Sequence, residues 1–311
     1  MTHAAPIRRP LPVLGSLCRT GRLTWVEIRK LVSHKLFPAA LLITLGVTTG
    51  LALATKAFTA GMGPRGFSNY SLWVTSAGYG LQVGTLLLVA LGAMAMSTEA
   101  TGRTLNTVLA RPIRRIEFAV AKVVSLVFAV VAVVLAAALA AYVVGGTVEP
   151  TRPPLVWQAD GTAVPDWHFP SYGDIVDPDP RYGEGVLLTK GAVMGDILFG
   201  FLLLVVPVLA GVSVGFLVGT LIDSSGLAIG LSVGVFMTLE ATKFIPVVED
   251  QLGQFAYNYP ITRISALMLE ASGGTVPQWG DALAGVGISA IYVAVSLLVS
   301  LVVFCRRDIT L

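Results

Sequence analysis

Residues 123–148, VVSLVFAVVAVVLAAALAAYVVGGTV, run without one charged side chain from Lys122 to Glu149. A helix on the surface of a soluble protein needs a polar face toward water. This stretch has none, and it exceeds the roughly 20 apolar residues that cross a bilayer core. It therefore reads as a membrane span.

The rest of the chain repeats the pattern. Of 311 residues 55% are hydrophobic and 13% charged, against about 25% charged in an ordinary soluble domain. Lys35 and Lys56 enclose LFPAALLITLGVTTGLALAT, and the interval from Arg65 to Glu99 has the core LQVGTLLLVALGAMAM. Asp196 and Asp223 enclose a fourth run, in which Pro207 should kink the helix without forbidding it. A fifth run, residues 226–248, is interrupted by Glu240 and Lys243, and a sixth covers residues 282–305. The fold class predicted is an all-α polytopic membrane protein with six transmembrane helices, a single domain over residues 1–311.

The loops set the orientation. Residues 1–37 carry Arg8, Arg9, Arg19, Arg22, Arg29, Lys30 and Lys35 against Glu27. Residues 97–117, between spans two and three, carry Arg103, Arg111, Arg114 and Arg115 against Glu99 and Glu117. Residues 145–191 are acidic on balance, with Glu149, Asp160, Asp166, Asp174, Asp177, Asp179 and Glu184. Cytoplasmic loops are enriched in Lys and Arg, so both termini and the 97–117 loop are expected inside. That fits an even number of spans in a bacterial cytoplasmic membrane. Residues 145–191 and 246–281 are then extracytoplasmic.

The segments between spans have their own character. RLTWVEIRKLVSHKL, residues 22–36, alternates apolar and charged residues at helical spacing, which predicts an interfacial helix with Trp25 at the headgroups and Glu27 and Lys30 on its polar side. No cleavable signal is expected, because its short apolar core would lie nearer the start. Seven prolines in residues 145–191 (Pro150, Pro153, Pro154, Pro165, Pro170, Pro178 and Pro180) predict an outer cap with little regular structure. The apolar pattern of residues 246–281 is too broken to cross and predicts interfacial or re-entrant half-helices.

Catalytic and metal chemistry find little support. There is no GxxxxGK[ST] phosphate loop, no HExxH and no cysteine–histidine cluster around Cys18 or Cys305. A net charge of +3 gives no reason to expect nucleic acid. GVSVG around Ser213 and GLSVG around Ser232 match a nucleophile-elbow pattern, but His3, His34 and His168 all lie outside the spans, so no base is at hand. The glycine spacing, Gly211–Gly215–Gly219 and Gly226–Gly230–Gly234, predicts close helix packing instead. Glu240 and Lys243, three apart, can pair with each other, and Lys122 and Asp196 are expected at span ends reaching water. An intramembrane serine enzyme and a ligand-binding scaffold remain the alternatives.

STEATGRTLNTVLARPIRR, residues 97–115, has an N-cap-like start, apolar spacing at Leu105, Val108 and Leu109, and a break at Pro112. A short helix between two spans can act as a lever. EATGRTLNTVLARPIRRIEFAVAK resembles the signature of ABC-2 type transporter permeases, with Glu99, Thr104, Leu105, Val108, Leu109, Pro112, Ile113 and Arg115 in register and Lys122 at the lysine that often follows. The glycine usual before the threonine is replaced by Arg103, with Gly102 one place earlier. The resemblance implies the membrane subunit of an exporter, paired with a second permease copy or paralogue. It implies two copies of a separate ATP-binding cassette ATPase, which would carry ATP and magnesium, while this chain needs no cofactor. It makes the loop after span two a coupling helix, with Glu99, Gly102, Thr104, Leu105, Arg111, Pro112 and Arg115 serving coupling. An extracytoplasmic accessory protein would fit the outer cap.

Overall fold

The computed structural model describes residues 12–60, 69–101, 115–147, 155–157, 163–165, 190–243, 245, 256–272 and 277–306. Among these are eight helices: α1 (Pro12–Ser33), α2 (Leu36–Ala60), α3 (Asn69–Thr101), α4 (Arg115–Thr147), α5 (Lys190–Leu221), α6 (Ser225–Thr242), α7 (Tyr259–Ser272) and α8 (Trp279–Arg306). Six of them (α2, α3, α4, α5, α6 and α8) are long and apolar enough to cross a membrane. The fold is the all-helical, six-span arrangement that the charge-free runs dictate, since a helix alone satisfies its backbone polar groups within one segment. One addition interrupts it. Leu155–Trp157 (β1) and Ala163–Pro165 (β2) pair antiparallel, with Val156 opposite Val164. The remainder of residues 145–191, apart from the helix ends, lies outside the described residues.

α3 is the axis of the bundle. Of its apolar window 67% is buried, against 22% for α6 and for α8, and it packs on α2, α4, α5, α6 and α7. Its residues Tyr70, Trp73, Leu81 and Leu88 share one apolar core with Phe118, Ile197, Leu204, Ile264 and Leu267. Trp73 donates its indole N–H to the Ala138 carbonyl at 2.9 Å and lies 5.3 Å from Tyr142 and 5.8 Å from Phe201, ring centre to ring centre. The buried hydroxyls of Thr85, Ser97 and Thr220 donate to carbonyls four residues back in their own helices.

Glycine decides where backbones meet. A Cβ on Gly215 would stand 2.5 Å from the Val89 carbonyl oxygen, and one on Gly219 would overlap the Ala93 carbonyl. From the other side Gly92 faces the Val212 carbonyl at the same 2.5 Å. α3 and α5 therefore approach closely through interlocked small residues. Gly211 lies against the Tyr257 ring and Val89. Gly230 and Gly234 on α6 have the same spacing, yet among the described residues nothing stands within 4 Å of an added Cβ.

Residues 259–272 form a 14-residue helix, α7, with Ile261, Ile264, Leu267 and Met268 buried. It is wedged against α3, α5 and α8. The helix is too short to cross, and it fills a gap between spans. Pro207 sits inside α5, which continues through it.

Candidate functional site

The two helices that flank residues 102–114 are held together by a buried ion cluster. Lys122, one turn and more into α4, has only 4% of its surface exposed. Its ammonium donates to Glu99 at the end of α3 at 2.9 Å and to Glu27 on α1 at 3.0 Å. Lys30, one turn along α1, donates to Glu27 at 2.8 Å and reaches Glu99 at 3.4 Å. Two carboxylates thus face two ammonium groups, and the Lys122 ammonium also sits 5.0 Å over the Phe118 ring. A cavity of about 160 Å³ lies among Glu27, Lys30, His34, Leu91, Glu99 and Lys122.

The placement of Lys122 is a correction. A lysine at a span end was expected to reach water; instead α1 covers it, and Glu27, itself buried, supplies a counter-charge. A lysine enclosed this way needs a paired carboxylate, because an unpaired buried charge is far more costly. Asp196 is also engaged, as its carboxylate accepts the Trp279 indole N–H at 3.2 Å.

Charge coupling is visible on α1. Burial by itself would raise the Glu27 carboxyl, but the Lys122 charge and the hydrogen bonds from Lys30 and Lys122 outweigh it and hold the group below its ordinary value. Burial would lower the Lys30 ammonium, and the bond to Glu27 with the charges of Glu27 and Glu99 raises it above its ordinary value instead. Trp25 on the same helix is 67% exposed, so α1 carries an outward aromatic and an inward ion pair.

The start of α4 has a second anchor. Arg115 donates a guanidinium N–H to the Cys305 carbonyl at the end of α8, 3.0 Å away, and Phe118 lies 6.0 Å from Phe304. Both ends of the 102–114 connection are therefore pinned, one by Glu99 and the other by Arg115 and Lys122. Gly102, Thr104, Leu105, Arg111 and Pro112 lie outside the described residues. Of the residues predicted to serve coupling, the structure brings Glu99 onto Lys30 of α1 and onto Lys122, which also holds Glu27, and it places the Arg115 side chain on α8. That convergence was not legible beforehand, because residues 27, 99 and 122 are remote along the chain and share no local period.

Midway along α3, at Gln82, there is a second polar cluster. Glu240 accepts hydrogen bonds from Lys243 at 2.9 Å through both oxygens, from Gln82 at 2.8 Å and from Asn258 at 2.6 Å. The expected Glu240–Lys243 pair is present; the Gln82 and Asn258 contributions were not legible. Burial, with the charge of Glu240 next, holds the Tyr257 phenol above its ordinary value. Ser213 and Ser232 donate to the Ala210 and Ala228 carbonyls of their own helices, each at 2.8 Å. Their hydroxyls are thus turned to the backbone.

Residues 23–155 match the family described as ABC-2 family transporter protein. The match contains α2, α3, α4, Glu27, Glu99, Arg115 and Lys122, and it is consistent with an ABC-2 type permease. No curated protein matches the chain. Together with six apolar helices, the family match is that of a multi-pass membrane protein.

Proposed function

We propose that the chain is the membrane subunit of an ABC-2 type exporter, driven by a separate ATP-binding cassette ATPase that docks on residues 102–114. The observation that carries the proposal is the buried Glu27–Lys122–Glu99 bridge, which joins α1 to both helices flanking that connection. A push on a loop whose two ends move independently dissipates in the loop. Here the ends are tied to each other and to α1, so displacement of the loop is passed to α1, α3 and α4 as one body. Arg115 extends the link to α8. Motion delivered this way repacks spans without any covalent step in this chain, and ATP and magnesium belong to the partner.

The remaining parts of the reading rest on charge and on the family. The basic 1–37 and 97–117 segments support an orientation with both termini and the docking loop in the cytoplasm, and we assign the membrane to a bacterial cell. A second permease copy or paralogue and two ATPase copies complete the assembly. Lipid covers the outside, and the acidic 145–191 cap faces outward, where an accessory protein could meet it. Ser213 and Ser232, bonded to their own helices, weigh against the serine-enzyme alternative.

The test is purification in mild detergent with identification of the companion subunits, followed by reconstitution of that complex with Pro112→Ala. An ATPase is expected to co-purify. Pro112→Ala is expected to insert normally and to reduce stimulated ATP hydrolysis and transport together. Full transport by the isolated chain, or unchanged hydrolysis in the variant, overturns the coupling role.

A further inference from the structure

Helix α6 touches the bundle along one narrow stripe. Its buried residues are Ala228, Ser232, Phe236 and Glu240, one per turn, whereas a helix seated on a core buries a stripe at least about 100° wide. Ser232 donates its hydroxyl to its own helix. Phe236 shares an apolar cluster with Val89 of α3, Ala210 of α5 and Tyr257. One turn further along, the stripe ends on a charge.

Glu240 accepts one bond from Gln82 of α3 and one from Asn258 in the turn before α7, besides the two from Lys243 on its own side of the contact. Among the described residues it is the one residue of α6 hydrogen-bonded to another helix or turn. Beside it α6 and α7 stand apart. A cavity of about 300 Å³ separates them, with Phe236, Glu240 and Lys243 on one wall and Ile261, Ser265 and Leu269 on the other. The Glu240–Asn258 bond joins α6 to the start of α7 across that space. Hydrogen bonds weaken steeply once misaligned, so a helix end held in this way is either fastened or free.

From these observations we propose that Glu240 is a latch on the C-terminal end of α6. Fastened, it holds that end to α3 and to the turn before α7. Released, the segment from Phe236 to Thr242 pivots, and the cavity is the room into which it moves. Lys243 lies three residues from Glu240 and travels with it, so release leaves no buried carboxylate without its counter-charge. The latch rests on the transport reading only for its use: in the orientation proposed above, this end of α6 faces outward, where a substrate would leave.

The test is a distance measurement by electron double resonance on the full chain in nanodiscs, with Cys18 and Cys305 replaced by serine. Spin labels at Ala241→Cys on α6 and Glu270→Cys on α7, both exposed, report the latch. Labels at Leu202→Cys and Glu270→Cys span α5 and α7, which pack on each other, and serve as the reference. The parent is expected to show one narrow distance for each pair. Glu240→Ala, and separately Gln82→Leu/Asn258→Leu, which keeps the Glu240–Lys243 pair, should each add a second α6–α7 population. Phe236 to Thr242 is about 9 Å of helix, so that population should be displaced by roughly 3–5 Å, with the reference pair still narrow. An α6–α7 distance that stays single in both variants overturns the latch. Broadening of both pairs alike in both variants also overturns it, since Glu240 would then be a general stabiliser. In the complex with its ATPase, trapping with ATP and vanadate should bring the second population into the parent. A parent complex that hydrolyses ATP without that response overturns the part of the latch in transport and spares the ATPase pairing. Failure of any ATPase to co-purify overturns the proposed function and spares the latch measured on the isolated chain.

Discussion

Replacing Lys122 by methionine is the most searching test of the ion cluster. At an effective dielectric constant near 20, unit charges 3 Å apart attract by about 5 kcal/mol. Lys122 makes two such contacts, at 2.9 and 3.0 Å. Desolvation offsets several kcal/mol per ion, so the intact cluster contributes little net stability. Removing its cation is different, because Glu27 and Glu99 keep their burial and lose their shared partner. Lys30 still reaches both carboxylates but is half exposed, so water screens its charge and it offsets the loss only in part. Breaking a buried pair in this way costs about 3–5 kcal/mol. For a chain of this size about 2 °C per kcal/mol turns that into a fall of roughly 6–10 °C in the thermal midpoint, read in mild detergent. The variant Glu27→Gln/Glu99→Gln/Lys122→Met removes the charges together and should lie within about 2 °C of the parent. A single substitution that shifts the midpoint by less than about 2 °C, or a triple variant as unstable as the single, refutes the argument.

Other outcomes follow from named contacts. The folded Glu27 carboxyl titrates below its ordinary value of 4.5, so its stabilisation is present above that pH and is lost as pH falls through the lower folded value. The folded Lys30 ammonium titrates above its ordinary 10.5, so its stabilisation is complete below that pH and is lost as pH rises through the folded value. Thermal midpoint against pH should therefore show a plateau between these limits, and Glu27→Gln should weaken the acid limb; an acid limb of unchanged size contradicts this. Gly219→Leu must push α5 off the Ala93 carbonyl and should cost at least about 1–3 kcal/mol. Gly230→Ala meets nothing within 4 Å among the described residues and should gain up to about 1 kcal/mol in the isolated chain; similar effects of the two substitutions would contradict the packing described. Asn258→Ala leaves Glu240 without one of its donors and should cost about 1–3 kcal/mol, measured by the same thermal assay.

How much could be read beforehand depended on the range of the interaction. The Glu240–Lys243 pair was legible because residues three apart share a helix face. Its completion by Gln82 and Asn258 was not, since these come from α3 and from the turn before α7. Lys122 was misjudged for the same reason. Next to an apolar run it looks like a residue reaching for water, and nothing nearby shows that α1 will fold over it. The motif pointed to Glu99 and Arg115 as coupling residues, while their partners, Lys122 and the Cys305 carbonyl, lie on other parts of α4 and on α8.

The amino-acid sequence by itself determined the six apolar helices. Lipid offers no hydrogen bonds, so the length of each charge-free run suffices to require a spanning helix, whatever its neighbours. It also placed the basic segments at one end. Tertiary structure alone decided which of two equally spaced glycine ridges meets a neighbour. Gly215 and Gly219 meet α3, whereas Gly230 and Gly234 meet nothing among the described residues. It also decided that Glu27, Glu99 and Lys122 converge. Spacing fixes which face a side chain occupies, but the partner opposite that face is set by how the helices pack, and this is a property of the whole bundle.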